Sequence, residues 1–264
     1  MIDIGFEFPV DPSGQWDGFN DSAIEHFSGN PFQHLGREVP QNTLDAKEVR
    51  PARINVSIKR IAPSEIPDLK GFSDTLKRCS KAAESDGNEK SSKFFEHAQE
   101  LLNKKYVTIL QIVDSNTYGV KGPCVNGKPF FAMMKATGQS RKSNTSTGSY
   151  GIGKFAPFTV SELRTVFVST VWQNDQDEWL HYVQGKSVLT SHEDDNGDVR
   201  RGTGFWGVRK GCMPVETLTA DIPKWLRRTK ANGKIDGYAG TTLSILGFDP
   251  TKGWEDGNYP PLNS

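Results

Sequence analysis

Three short segments of this chain carry residue types that could handle a nucleotide. The first is TGSYGIGKFAPF (147–158), where Gly148, Gly151, Gly153 and Lys154 could offer backbone N–H groups and one cation to phosphates. The second is GREVPQNTLDA (36–46). In a helix turning ~100° per residue, Glu38, Asn42 and Asp45 fall within about 60° of one another, beside an apolar stripe of Leu35, Val39 and Ala46. A carboxylate that can take a proton from water, one turn from an amide oxygen that can ligate magnesium, is a workable hydrolytic pair. The third is ILQIVDSNTYGV (109–120), where Asp114 leaves an apolar strand for a turn containing Asn116 and Gly119. A carboxylate there can accept a hydrogen bond from an exocyclic amine such as adenine N6, although Asp-Ser-Asn also suits an ordinary turn.

Two familiar phosphate loops fail on the glycine segment. Gly148-x-x-x-x-Gly153-Lys154 meets most of the P-loop pattern, but Phe155 stands where a magnesium-binding hydroxyl belongs. The polar RKSNTSTGS precedes it in place of a hydrophobic strand. A dinucleotide turn needs G-x-G-x-x-G, whereas these glycines run G-x-x-G-x-G. Taken alone, the segment also reads as a plain flexible turn before a helix.

The elements that must position these groups alternate in type. Residues 1–29 lack a clear period and read as an arm or loop-rich lead-in. A helix is expected from Asn30, a good capping residue with Pro31 behind it, and Pro40 should kink it or widen a turn. ARINVSIKRI (52–61) alternates as a strand, and helical spacing follows in 64–83 and 89–105. Strands are expected at 105–114, 163–172 and 179–189, a helix at 218–230 and a last strand at 241–248. The class is α+β, with helices and a largely antiparallel sheet.

Composition limits the rest. The chain has 264 residues, 35% hydrophobic and 24% charged, enough for a sizeable core. Its 32 basic and 32 acidic residues cancel, so no chain-wide attraction to nucleic acid or anionic membrane is expected. A local basic patch is available at Lys224, Arg227, Arg228 and Lys230. Three scattered cysteines argue for a reducing, cytoplasmic setting over a disulfide framework, and no cysteine–histidine spacing suits zinc. No apolar run is long enough to cross a bilayer.

In order along the chain, E-x-x-x-N-x-x-D-A, strand-D-x-N-x-x-G and G-x-x-G-x-G-K resemble the GHKL ATPase superfamily of gyrases, heat-shock chaperones, histidine kinases and MutL-type proteins. Gly240-Thr241-Thr242-Leu243, opening the last strand, is similar to its final motif. The likeness spans roughly 30–250, as a divergent prokaryotic member with a two-layer α/β sandwich of the Bergerat type: a mostly antiparallel mixed sheet with helices on one face. It implies that ATP and Mg2+ bind, with Glu38 as general base, Asn42 on magnesium and Asp45 supporting the same helix face. Asp114 would read adenine N6, Asn116 and Gly119 would shape the turn beside the base, and Thr241 or Thr242 would bond near the adenine. Gly148, Gly151 and Gly153 would hinge an ATP lid over about 119–153, opening a helix near Lys154; the charge of Lys154, apart from the resemblance, suits a γ-phosphate contact or equally a side chain pointing to solvent. The resemblance further implies homodimerisation on ATP binding and control of an attached effector, as in DNA repair or antiphage defence. Residues 251–264 would then be a tail leading to a C-terminal region beyond this sequence. A non-hydrolysing ATP- or ADP-sensing module is the alternative. Two departures stand out: Asp114-Ser-Asn-Thr-Tyr-Gly119 replaces the usual D-x-G-x-G, and Pro40 replaces an aliphatic residue.

Overall fold

A computed structural model describes residues 2–47, 51–136, 153–217, 219, 222–228 and 239–250. Its strands are β1 (Ile4–Glu7), β2 (Arg53–Ile61), β3 (Val107–Ser115), β4 (Ser161–Gln173), β5 (Trp179–Val188), β6 (His192–Glu193), β7 (Val199–Arg200), β8 (Thr203–Val208) and β9 (Gly240–Phe248). Its helices are α1 (Ser22–Glu25), α2 (Pro31–Asp45), α3 (Leu69–Ser85), α4 (Glu89–Leu102), α5 (Pro129–Met134) and α6 (Ala156–Thr159). Seven strands form one sheet in the order β1-β8-β5-β4-β9-β3-β2, and every pairing in it is antiparallel. The expected α+β class is therefore observed.

The two faces of the sheet are distinguished by alternate residues of the same strands. Ile109 of β3, Phe167 of β4 and Leu246 of β9 meet Phe72 and Leu76 of α3 and Phe95 and Ala98 of α4. This is the sheet-on-helix sandwich, each fully buried large side chain contributing about 1.5–3 kcal/mol. Leu110, Val166 and Ile245, one residue along, meet Ile24 of α1, Leu35 of α2 and Phe158 of α6. Helix cover thus extends beyond the one face expected. It explains why β4 is buried along nearly its whole length instead of alternating.

The lead-in is less of an arm than composition suggests. β1 pairs with β8, and Phe6 and Phe8 are buried in the core, so isolated aromatics supplied the signal that periodicity lacked. The span expected as lid also begins with structure: Phe130 and Met134 of α5 pack on Trp172 and Tyr182. The expected helix at 218–230 is, among its described residues, a single 3-10 turn at Lys224–Leu226. Arg228 of the suspected basic patch is buried, not displayed. No helix among the described residues is long and apolar enough to cross a membrane.

Candidate functional site

A cavity of about 410 Å³ opens between α2, the second face of the sheet, α5 and the start of α6. α2 supplies one wall. It runs unbroken through Pro40 from Pro31 to Asp45, because Leu35 and Thr43 are buried on one side and fix the helix by packing. Glu38, Asn42 and Asp45 all line the cavity, as the helical spacing requires. Neither Glu38 nor Asn42 has a side-chain hydrogen bond or ion pair among the described residues. Asp45 accepts a 2.8 Å bond from Gln41 Nε2, and its backbone carbonyl accepts from the Tyr118 hydroxyl at 2.9 Å.

The opposite end is built around Asp114. Its Oδ1 accepts from the Thr241 N–H at 2.7 Å and from the Thr117 hydroxyl at 2.8 Å. Both bonds use one oxygen, which leaves Oδ2 as the acceptor this cavity-lining carboxylate can offer. Behind it the buried Arg228 guanidinium donates to the Asp114 carbonyl at 2.5 Å and to the Ala239 carbonyl at 3.0 Å. Burial pushes the Asp114 carboxyl above its ordinary value, and the Thr241 and Thr117 bonds and the Arg228 charge pull it back. Ile112, Val166, Val168 and Leu243 provide an apolar floor beside it.

The turn after Asp114 is held by conformation. Asn116 takes φ +61°, the left-handed region that asparagine tolerates, and Gly119 takes +64°. A Cβ on Gly119 would lie 2.5 Å from the Val171 carbonyl oxygen and 2.9 Å from Thr170 Oγ1. Gly119 lines the cavity, but Asn116 does not. Its amide instead donates to the Pro51 carbonyl at 2.7 Å, pinning the chain ahead of β2. Strand alternation separates the two threonines as well. Thr241 faces the cavity, whereas Thr242 lies on the other face, where its hydroxyl accepts from Arg228 at 3.4 Å.

Of the glycine segment, Gly148 and Gly151 lie outside the described residues. Gly153 lines the cavity so close to Glu38 that a Cβ there would collide with the carboxylate. The expected helix is a 3-10 turn, Gly153–Phe155, followed by the four residues of α6, too short to concentrate a helix dipole. Lys154 also faces the cavity, yet its ammonium donates to the Ala132 carbonyl at 2.8 Å and to the Ala136 carbonyl, at the end of α5. Burial lowers its pKa to about 8.

Lys186 is the cavity residue that sequence inspection missed. It sits on β5 with 6% of its surface exposed and lines the cavity. Burial and the neighbouring Lys154 charge push its pKa down to about 8. Its strand, WLHYVQGKSV, mixes polar and apolar residues, so the lysine carries no signal of its own in the sequence. Thr117 and Arg228, which hold Asp114, were also missed because turn and loop partners have no period.

Glu38, Asn42, Asp45, Asp114, Gly119, Gly153, Lys154 and Thr241 therefore share one cavity, drawn from four separated stretches of chain. No group of three histidine, cysteine or carboxylate side chains able to hold a metal occurs among the described residues. The donor set instead suits a magnesium ion that keeps waters and phosphate oxygens and takes one amide oxygen from protein. No protein-family model matches the chain, and no curated protein matches it significantly in sequence.

Proposed function

We propose that this chain is an ATP-binding and Mg2+-dependent ATP-hydrolysing switch domain of GHKL type, working in the cytoplasm. The observation that carries the reading is the convergence, in one cavity, of a half-buried carboxylate beside an apolar floor with a glutamate and an asparagine on a facing helix that have no side-chain partner among the described residues. Asp114 Oδ2 accepts the hydrogen bond of an adenine amino group, and the floor of Ile112 and Leu243 covers the ring. Glu38 holds a water and takes its proton, its carboxylate lying against the Gly153 backbone. Asn42 offers its amide oxygen to magnesium, which when bound neutralises phosphate charge. ATP-promoted dimerisation and control of an effector belong to the same proposal, by the family resemblance.

Two variants test it together. Asp114→Ala is expected to lose about 10- to 100-fold in ATP affinity by calorimetry, the scale of a hydrogen bond to a charged group. Glu38→Ala is expected to bind ATP normally and to lose phosphate release. Equal, negligible release from wild type and Glu38→Ala sinks the ATPase; unchanged ATP affinity in Asp114→Ala sinks the adenine assignment.

A further inference from the structure

Lys154, Lys186 and Lys135 alternate with two aromatic rings. Lys154 Nζ lies 5.8 Å and Lys186 Nζ 4.9 Å from the centre of the Phe155 ring. Lys186 Nζ is also 6.0 Å, and Lys135 Nζ 5.7 Å, from the centre of Phe205. Two of the three amines are committed to backbone: Lys154 to the Ala132 and Ala136 carbonyls, Lys135 to the Gly211 carbonyl at 2.9 Å. Lys186 has no hydrogen-bond acceptor or ion-pair partner among the described residues, although it is the most buried of the three. Asp21 lies close enough to attract it but makes no hydrogen bond or ion pair with it, its Oδ1 accepting from the Ala23 and Ile24 N–H groups at the start of α1. Attraction to ring faces is weaker than the cost of stripping water from an ammonium, so a group with three unspent donors implies a ligand that supplies acceptors.

We propose that Lys186, with Lys154 beside it, forms a buried anion subsite that receives the terminal phosphates of a polyphosphate ligand. The cavity is polarised accordingly. In the order β5-β4-β9-β3, Lys186 lies three strands from Asp114, about 14 Å across the sheet, and its row meets β3 at Leu110, about 13 Å along the strand from Asp114. One end thus offers a hydrogen-bond-accepting carboxylate and the other a cationic donor, with apolar residues between them. That arrangement matches a ligand with an amino-bearing ring at one end and an anionic chain at the other. Lys186 also lines a second basin of about 980 Å³, so the residue borders both. The identity of the ring end rests on the nucleotide reading above; the anion subsite does not.

Calorimetric titration of the full chain with ATP, adenosine and inorganic tripolyphosphate tests the subsite, using wild type, Lys186→Met and Lys186→Gln. The expected result is binding of all three probes by wild type. Both variants should then lose about 10-fold or more in affinity for ATP and tripolyphosphate, with adenosine affinity unchanged. Lys186→Gln keeps a polar tip and serves where Lys186→Met fails to fold. Tripolyphosphate binding that is lost in the variants, with no adenosine binding by wild type, upholds the subsite and overturns the nucleotide reading. Tripolyphosphate affinity equal in wild type and variants, or absent from wild type, overturns the subsite.

Discussion

Asp114 is half-buried and Lys186 buried, and the fold treats the two ionisable groups differently. Asp114 keeps its charge in reach through two hydrogen bonds to Oδ1 and the guanidinium of Arg228 behind it. Among the described residues Lys186 receives none of this, and the charges that bear on it are Lys154, which opposes its protonation, and Asp21, which favours it. Its pKa falls from 10.5 in an unfolded chain to about 8 in the folded one. Below pH 8 both states are protonated and the burial penalty is fully present. Between about 8 and 10.5 the unfolded chain binds more protons, so the folded state gains stability as pH rises. Lys186→Met removes this dependence. In urea denaturation the variant is expected to exceed wild type in stability most at pH 7, with the margin shrinking by pH 10. A constant margin across that range refutes the assignment of a buried, protonated Lys186. Comparing the pair cancels the thiols and Tyr182, whose raised values give them an opposing trend.

At the scale of elements, the site depends on one turn more than on any helix. The loop leaving β3 passes under the β4–β9 pair, and only a residue without Cβ fits at position 119, facing the Val171 carbonyl. Gly119→Ala combines a left-handed backbone with a backbone collision and is expected to cost at least about 1–3 kcal/mol. That lowers Tm by about 2–4 °C for each kcal/mol in a domain of this size. Gly87 is the control. It has the same φ of +64° but nothing within 4 Å of its absent Cβ. Gly87→Ala should therefore lose only the conformational part, about 1–2 kcal/mol. Thermal unfolding of the two variants separates crowding from backbone strain, and equal losses would show that crowding contributes nothing. α2 tolerates more, because Pro40 already removes one helical N–H and packing through Leu35 and Thr43 holds the element.

Across the whole molecule, burial is uneven. The first-face core of α3, α4 and the sheet encloses Phe72, Phe95, Ile109 and Phe167 at zero exposure. β2, the strand at one edge, leaves Ile54, Val56 and Ile58 exposed at 38%, 61% and 48%. Stability should therefore be concentrated away from that edge. Ile109→Ala is expected to cost about 2–5 kcal/mol, whereas Val56→Thr should stay within about 0.5 kcal/mol of wild type in chemical denaturation. Comparable losses at both positions would mean that the β2 edge is covered in solution.

Local pattern by itself determined a good part of this protein. Alternation found β2, the strand readings at 163–172, 179–189 and 241–248 met β4, β5 and β9, and 3.6-residue spacing found α3 and α4 and put Glu38, Asn42 and Asp45 on one side of α2, where all three line the cavity. Asn116 takes the left-handed turn that asparagine allows, even with one residue more than the family pattern. What needed the tertiary structure was everything set by pairing between distant strands. Register decides that Thr241 reaches Asp114 while Thr242 faces Arg228, and no local signal distinguishes two adjacent threonines. The Asn116 amide is spent on Pro51, 65 residues away, and Lys154 on the end of α5, for the same reason. Lys186 enters the cavity because β5 lies beside β4 in the sheet. Periodicity fixes which way a side chain leaves its own element; only the packing of elements decides what it meets.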